Sequence, residues 1–259
     1  MLMRGYIDES YSAKLFTLSC LMSDPPDWHK MELSWKKKIL AKNKKLHAQG
    51  RRQLSRYHAA DCSSLVNEFE GWTVTEQIEF TKQLLGVIKG RFLNVIAYSV
   101  PLEALEEIFP EHKKGDLGPC YALLLKLLMT EFTSQLEDVA KLAKQVKPIK
   151  LVLIHDRCSY DVELLRAFNQ MMEDPGFTGK HVFSTIAPMA WEDCIPLQLA
   201  DLLAYENFKD SERRETGRKR RKTLEVMLAN RLGGRCRTFT AKGLRKLRDL
   251  MESRAESKF

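Results

Sequence analysis

Ile149–His155 reads IKLVLIH, a nearly continuous apolar run, as expected for a β-strand covered by other structure on both faces. Its surroundings alternate in kind. Met3–Glu9 (MRGYIDE) and Lys14–Met22 read as two strands joined by a tight turn around Ser10–Ala13. Asp27–Leu40 looks helical, and Thr73–Lys89 looks amphipathic, with Ile78, Leu84, Leu85 and Ile88 supplying an apolar face. Arg91–Val100 reads as a strand, Tyr121–Gln145 as a long Leu-rich helix ended by Pro148, and Tyr160–Met172 as a helix. His181–Ala187 is expected to be a strand and Ile195–Phe208 a helix. Strands alternating with helices argue α/β layering. There is no internal repeat.

Within Ile195–Tyr205 (IPLQLADLLAY) a single carboxylate, Asp201, interrupts an otherwise apolar helix. Pro196 suits the first helical turn, so Asp201 lies beyond any capping position. Aspartate is a poor mid-helix residue, and burying its charge is costly without a metal or a base beside it. Gln198, Asp201 and Tyr205 follow i, i+3, i+7 spacing and share one face. A polar stripe in an apolar frame suggests a site. Asp8 and Asp156 each follow an apolar strand directly, and ligands of open α/β sheets bind beyond the carboxyl ends of strands. The three aspartates could form a cluster that repels itself unless cations occupy it. Magnesium suits such an all-oxygen site. Asp156 is equally readable as the cap of the following helix. Glu9 adjoins Asp8 on the strand and points to the opposite face unless the strand ends or bulges there.

Two motifs, Asp8-Glu9 near the start and Gln198-x-x-Asp201 near the end, closely resemble the bacterial domain-of-unknown-function 3800 family. Tyr57-His58-Ala-Ala-Asp61 resembles that family's His-Ala-x-Asp element. The resemblance implies a ribonuclease H-like α/β fold, a mixed central sheet flanked by helices. It also implies a metal-dependent nuclease site of bacterial or phage origin. Asp8, Asp156 and Asp201 are the expected Mg2+ or Mn2+ ligands, with Glu9 and His58 as further catalytic candidates and Gln198 as a substrate contact. His58 suits proton transfer or phosphate binding, since histidine titrates near neutral pH. Asp61 is otherwise a turn cap. Glu192 could support the cluster and Asp193 could cap the Asp201 helix, while His155 belongs to the core. Arg157 and Lys209 are surface charges or phosphate contacts.

The formal net charge of +8 is uneven. Residues 36–56 carry nine Lys or Arg and no acid, and residues 211–259 have a balance of +10, leaving −11 on the remainder. An acidic body with two basic extensions suits a carboxylate site flanked by grips for a polyanion. Arg218, Lys219, Arg220 and Arg221 are therefore expected to contact nucleic acid, DNA or RNA. Residues 1–210 are expected to form the α/β domain with a basic insertion at about 36–56, and residues 211–259 a basic helical extension. Residues 43–56 and 211–222 are the expected flexible segments. Six scattered cysteines without a C-x-x-C pair, no signal-like start and no membrane-spanning run point to free thiols in the cytoplasm. Phosphate-loop, dinucleotide and esterase-elbow patterns do not occur. Two other functions remain: a nucleic-acid-binding protein without turnover, and a protein-interaction component of a defence or mobile-element system.

Overall fold

The computed structural model describes residues 1–91, 93–110, 116–142, 148–229 and 233–256. Six strands form one mixed sheet: β1 (Leu2–Tyr11), β2 (Leu15–Ser23), β3 (Asn94–Pro101), β4 (Lys150–Asp156), β5 (Phe183–Met189) and β6 (Gly233–Thr238). Their order across the sheet is β5-β4-β1-β2-β3-β6. The first three strands form an antiparallel meander, β4 and β5 run parallel to β1, and β6 runs parallel to β3.

Period-2 alternation divides the strand side chains between two cores. Met3, Ile7, Phe16, Leu18 and Leu153 pack on one side against α5 (Gly118–Leu142) and α6 (Asp161–Glu173). Tyr6, Leu21 and Val95 pack on the other against α1 (Pro25–Ala48), α3 (Val74–Leu85) and α7 (Ile195–Glu215). Shorter helices complete the fold: α2 (Ala59–Ser64), α4 (Leu102–Ile108), α8 (Lys222–Ala229) and α9 (Ala241–Glu256). Coverage of both faces is why β4 is nearly all apolar. Among the described residues, no helix is long and apolar enough to cross a membrane.

The first basic segment differs from the expectation. Asp24 caps α1 by accepting the Asp27 N–H at 2.8 Å, and the helix runs on to Ala48 because Lys, Leu and Ala favour helix and no breaker precedes Gly50. The chain beyond Ala48 is tied down as well. The Asn43 side chain exchanges two 2.8 Å hydrogen bonds with the Leu54 backbone. Arg51 pairs with Glu76 at 2.9 Å, and Lys42 lies 3.9 Å over the Trp72 ring. The α3 helix buries Phe80, Thr81, Leu84 and Leu85, whereas Ile78 is exposed. The long helix begins at Gly118, and residues 143–147 of the expected span lie outside the described residues.

Residues 211–259 are not wholly helical. The expected boundary at residue 210 falls inside α7, and β6 adds a strand to the sheet. Its sequence, GGRCRT, has almost no apolar signal because it is an edge strand carrying Arg235 and Arg237.

Candidate active site

Because β1 and β4 are parallel neighbours with Ile7 opposite His155, the next residues, Asp8 and Asp156, reach the same end of the sheet side by side. Asp8 shares the face of Tyr6, the side on which α7 crosses β1 and β2. The buried Leu197, Leu199, Leu202 and Leu203 fix α7 there, each contributing about 1.5–3 kcal/mol, which offsets a mid-helix carboxylate. Asp8, Glu9, Asp156 and Asp201 border one cavity of about 330 Å³, together with Arg56 and His58.

The electrostatics are those of crowded acids. Burial pushes the Asp8 carboxyl well above the usual range, and Glu9, Asp201 and Asp156 push it further. Burial also raises Glu9, against the pull of hydrogen bonds from the Tyr121 hydroxyl and from Asp8. The strand continues past Glu9 without a bulge, and the two side chains diverge as alternation requires, yet both border the cavity. Burial raises Asp201 to about 6, opposed by His58, the Ala59 N–H and Arg56. Asp156 is raised by burial and held back by N–H groups of Arg157 and Trp191 and by Arg56. It does not cap α6, whose N-cap residue is Tyr160.

The two distant motifs are bonded to each other. Gln198 Oε1 accepts both the Trp35 indole N–H and the Tyr57 backbone N–H at 3.0 Å. Asp201 Oδ2 accepts the Ala59 N–H at 2.8 Å. Asp201 therefore satisfies a first-turn N–H of α2 from another helix. Gln198, expected as a substrate contact, commits its oxygen to holding α1 and the 57–59 segment. His58 Nδ1 lies 3.0 Å from Asp61 Oδ2. Burial acts to raise Asp61, but hydrogen bonds from His58 and Asn67 outweigh it and hold the carboxyl below its ordinary value.

Other candidates do not border the cavity. Glu192 and Asp193 are exposed, Glu192 close enough for its charge to raise Asp156, and the N-cap position of α7 belongs to Cys194. His155 is buried, with Nδ1 2.9 Å from the Asp156 carbonyl. Arg157 is exposed, and Lys209 pairs with Glu212 at 2.9 Å. Ligand atoms of His155, Cys158 and Asp161 lie within 4.8 Å of one another, but Asp161 accepts the Cys158 N–H and burial pushes that thiol up to about 12. This grouping is bound by its own turn.

Of the basic quartet, Arg218 and Lys219 are exposed. Arg220 Nε lies 3.5 Å from Asp210. Arg221 does not face solvent for a polyanion: its guanidinium grips buried Glu206 at 2.6 and 2.8 Å, and its N–H bonds Asp210. Sequence reasoning missed three residues at the site. Arg56 lies 4.1 Å over the Trp191 ring, Trp191 donates its N–H to Asp156, and Tyr121 holds Glu9. Arg56 directly precedes the Tyr57-His58 element, which was the one available signal.

No protein-family model matches this chain, and a search of curated proteins finds no match.

Proposed function

We propose that this protein is a ribonuclease H-like, metal-dependent nuclease that hydrolyses phosphodiester bonds of nucleic acid, of the kind implied by the domain-of-unknown-function 3800 motifs. The observation that carries the reading is the meeting of Asp8, Asp156 and Asp201, from three distant segments, on one cavity. The mixed sheet flanked by helices, with Asp156 closing β4 and Asp8 beside it on the adjacent parallel β1, supports it.

The donor set fits a hard divalent cation. Acids that raise one another's pKa lack enough positive charge between them, and oxygen ligands are what Mg2+ or Mn2+ prefers. Asp8, Asp156 and Asp201 would hold the ion, with Glu9 in support. Such an ion, when bound, lowers the pKa of water and neutralises charge on a phosphoryl group. The chain's own groups have separate tasks. Arg56 orients a phosphate at the cavity, and Asp61 fixes the His58 ring, which moves a proton. Tyr121 and the Ala59 N–H hold Glu9 and Asp201 in place. Exposed Arg218 and Lys219 draw the polyanion towards the site.

A second reading, a nucleic-acid-binding protein without turnover, is favoured by one observation. Asp201 already has a structural partner in the Ala59 N–H. Thermal unfolding in Mn2+ or Mg2+, paired with cleavage assays on DNA and RNA, decides between them. A nuclease gains several degrees on metal binding and cuts at least one substrate, and Asp8→Asn abolishes both effects. Binding without cleavage or metal stabilisation leaves the second reading. If no oligonucleotide binds at low salt, a protein-interaction role with an acidic partner takes its place.

A further inference from the structure

Four tryptophans occur in the chain. Trp28, Trp35 and Trp72 are 2%, 2% and 5% exposed, whereas Trp191 is half-buried and borders the carboxylate cavity. It donates its backbone N–H to Asp156 and carries the Arg56 guanidinium 4.1 Å from its ring centroid. A second ring borders the same cavity: Tyr11, at the end of β1, rests on Phe16 and is 55% exposed. Trp191 follows β5, across β4 from Asp8, and Tyr11 lies three residues beyond Asp8 on β1 itself, at the edge that faces β2. Neither ring is needed to hold a metal or a phosphate. Aromatic rings bordering a cavity beside an arginine instead match unpaired nucleobases, whose faces are free for stacking; in a duplex those faces are occupied.

We infer that the substrate is single-stranded nucleic acid, with Trp191 and Tyr11 stacking bases on either side of the phosphodiester presented to the carboxylates. This rests on the nuclease reading above and adds its strand selectivity.

Trp191 provides its own signal, because the other three indoles are buried. The full-length protein, with metal chelated to prevent cleavage, is titrated with oligothymidylate and with a hairpin duplex of equal phosphate number while tryptophan emission is followed. Oligothymidylate is expected to quench the emission. Trp191→Phe should lose the quench and keep affinity within about threefold, since phenylalanine retains a π face. Trp191→Ala should weaken single-strand binding roughly 5- to 150-fold and leave duplex binding within about twofold, with Tyr11→Ala in the same direction. If Trp191→Ala does not fold, the quench and its loss in Trp191→Phe carry the test. Single-strand binding without a quench, or equal losses for both substrates, overturns the inference. Metal stabilisation that persists in that case leaves the nuclease reading standing, whereas a wild-type protein that binds neither oligonucleotide overturns both.

Discussion

Asp201→Asn should make the metal-free protein more stable, and by an amount that depends on pH. The native carboxyl titrates at about 6 against an ordinary 3.8. A group whose native pKa is raised takes up a proton on folding. Its contribution is intact below the unfolded value and is lost as pH rises through the native one. Two pKa units correspond to roughly 3 kcal/mol that wild-type protein forfeits by about pH 8. Asparagine keeps the volume and an oxygen for the Ala59 N–H, but gives up the charge on that hydrogen bond, at about 1 kcal/mol. The variant should therefore gain about 2 kcal/mol near pH 8, a rise of about 4–8 °C in Tm, and gain nothing near pH 4. Urea denaturation with a chelator at the two pH values measures this. Excess Mn2+ should reverse the order, because a ligand at 100 times its Kd stabilises wild-type protein by about 2.7 kcal/mol and the variant lacks a ligand charge. A variant less stable than wild type at the higher pH would show that Asp201 serves chiefly as the cap of α2. Failure of Mn2+ to reverse the order would remove Asp201 from the metal site.

Gln198→Ala strands two buried donors, the Trp35 indole N–H and the Tyr57 N–H. It should cost about 2–4 kcal/mol in urea denaturation and reduce cleavage as well, since the 57–59 segment loses its anchor. Arg221→Met leaves Glu206, 3% exposed, without its partner. A loss of about 3 kcal/mol at neutral pH is expected, and Glu206→Gln combined with Arg221→Met should recover most of it. Changing Arg218 and Lys219 together to Gln should leave stability within about 0.5 kcal/mol. The same pair should flatten the salt dependence of single-strand binding by about 1.4 in log–log slope, measured by fluorescence anisotropy.

The strands and helices that carry the carboxylates were legible because their signals are local. An apolar run such as Ile149–His155 must be covered on both faces, and an apolar helix start such as Ile195–Leu203 must be buried. Asp156 does follow its apolar run at the end of β4, whereas β1 runs past Asp8 to Tyr11, and it is parallel pairing that sets the two carboxylates side by side. Edge strand β6 escaped because its charged residues face solvent and its pairing with β3 is non-local. The fate of Arg221 escaped for a related reason. A run of basic residues looks alike whether it meets water or a buried glutamate, and only the fold carries Glu206 and Asp210 beneath it. Gln198 shows a third kind of limit: its spacing from Asp201 revealed a shared face, but not that the face would be closed by Tyr57 and Trp35.

The division of labour at the site stems from the stiffness of its parts. Asp8 lies within β1 and Asp156 closes the adjacent β4 in a six-stranded sheet, and Asp201 rides on a helix anchored by buried leucines. Elements of that kind hold the acids in place despite the cost of burying them, and burial, with neighbouring acids adding to it, raises their carboxyls. Arg56, His58 and Trp191 come from connecting segments that have no such ladder. They are held instead by single contacts to the carboxylates and to one another: the Ala59 N–H on Asp201, the Trp191 N–H on Asp156 and Arg56 over the Trp191 ring. The acids thus sit on rigid elements, whereas the groups around them come from loops. A cation that neutralises these buried acids would offset the cost of their burial, so binding at this cavity and stability of the fold should rise together.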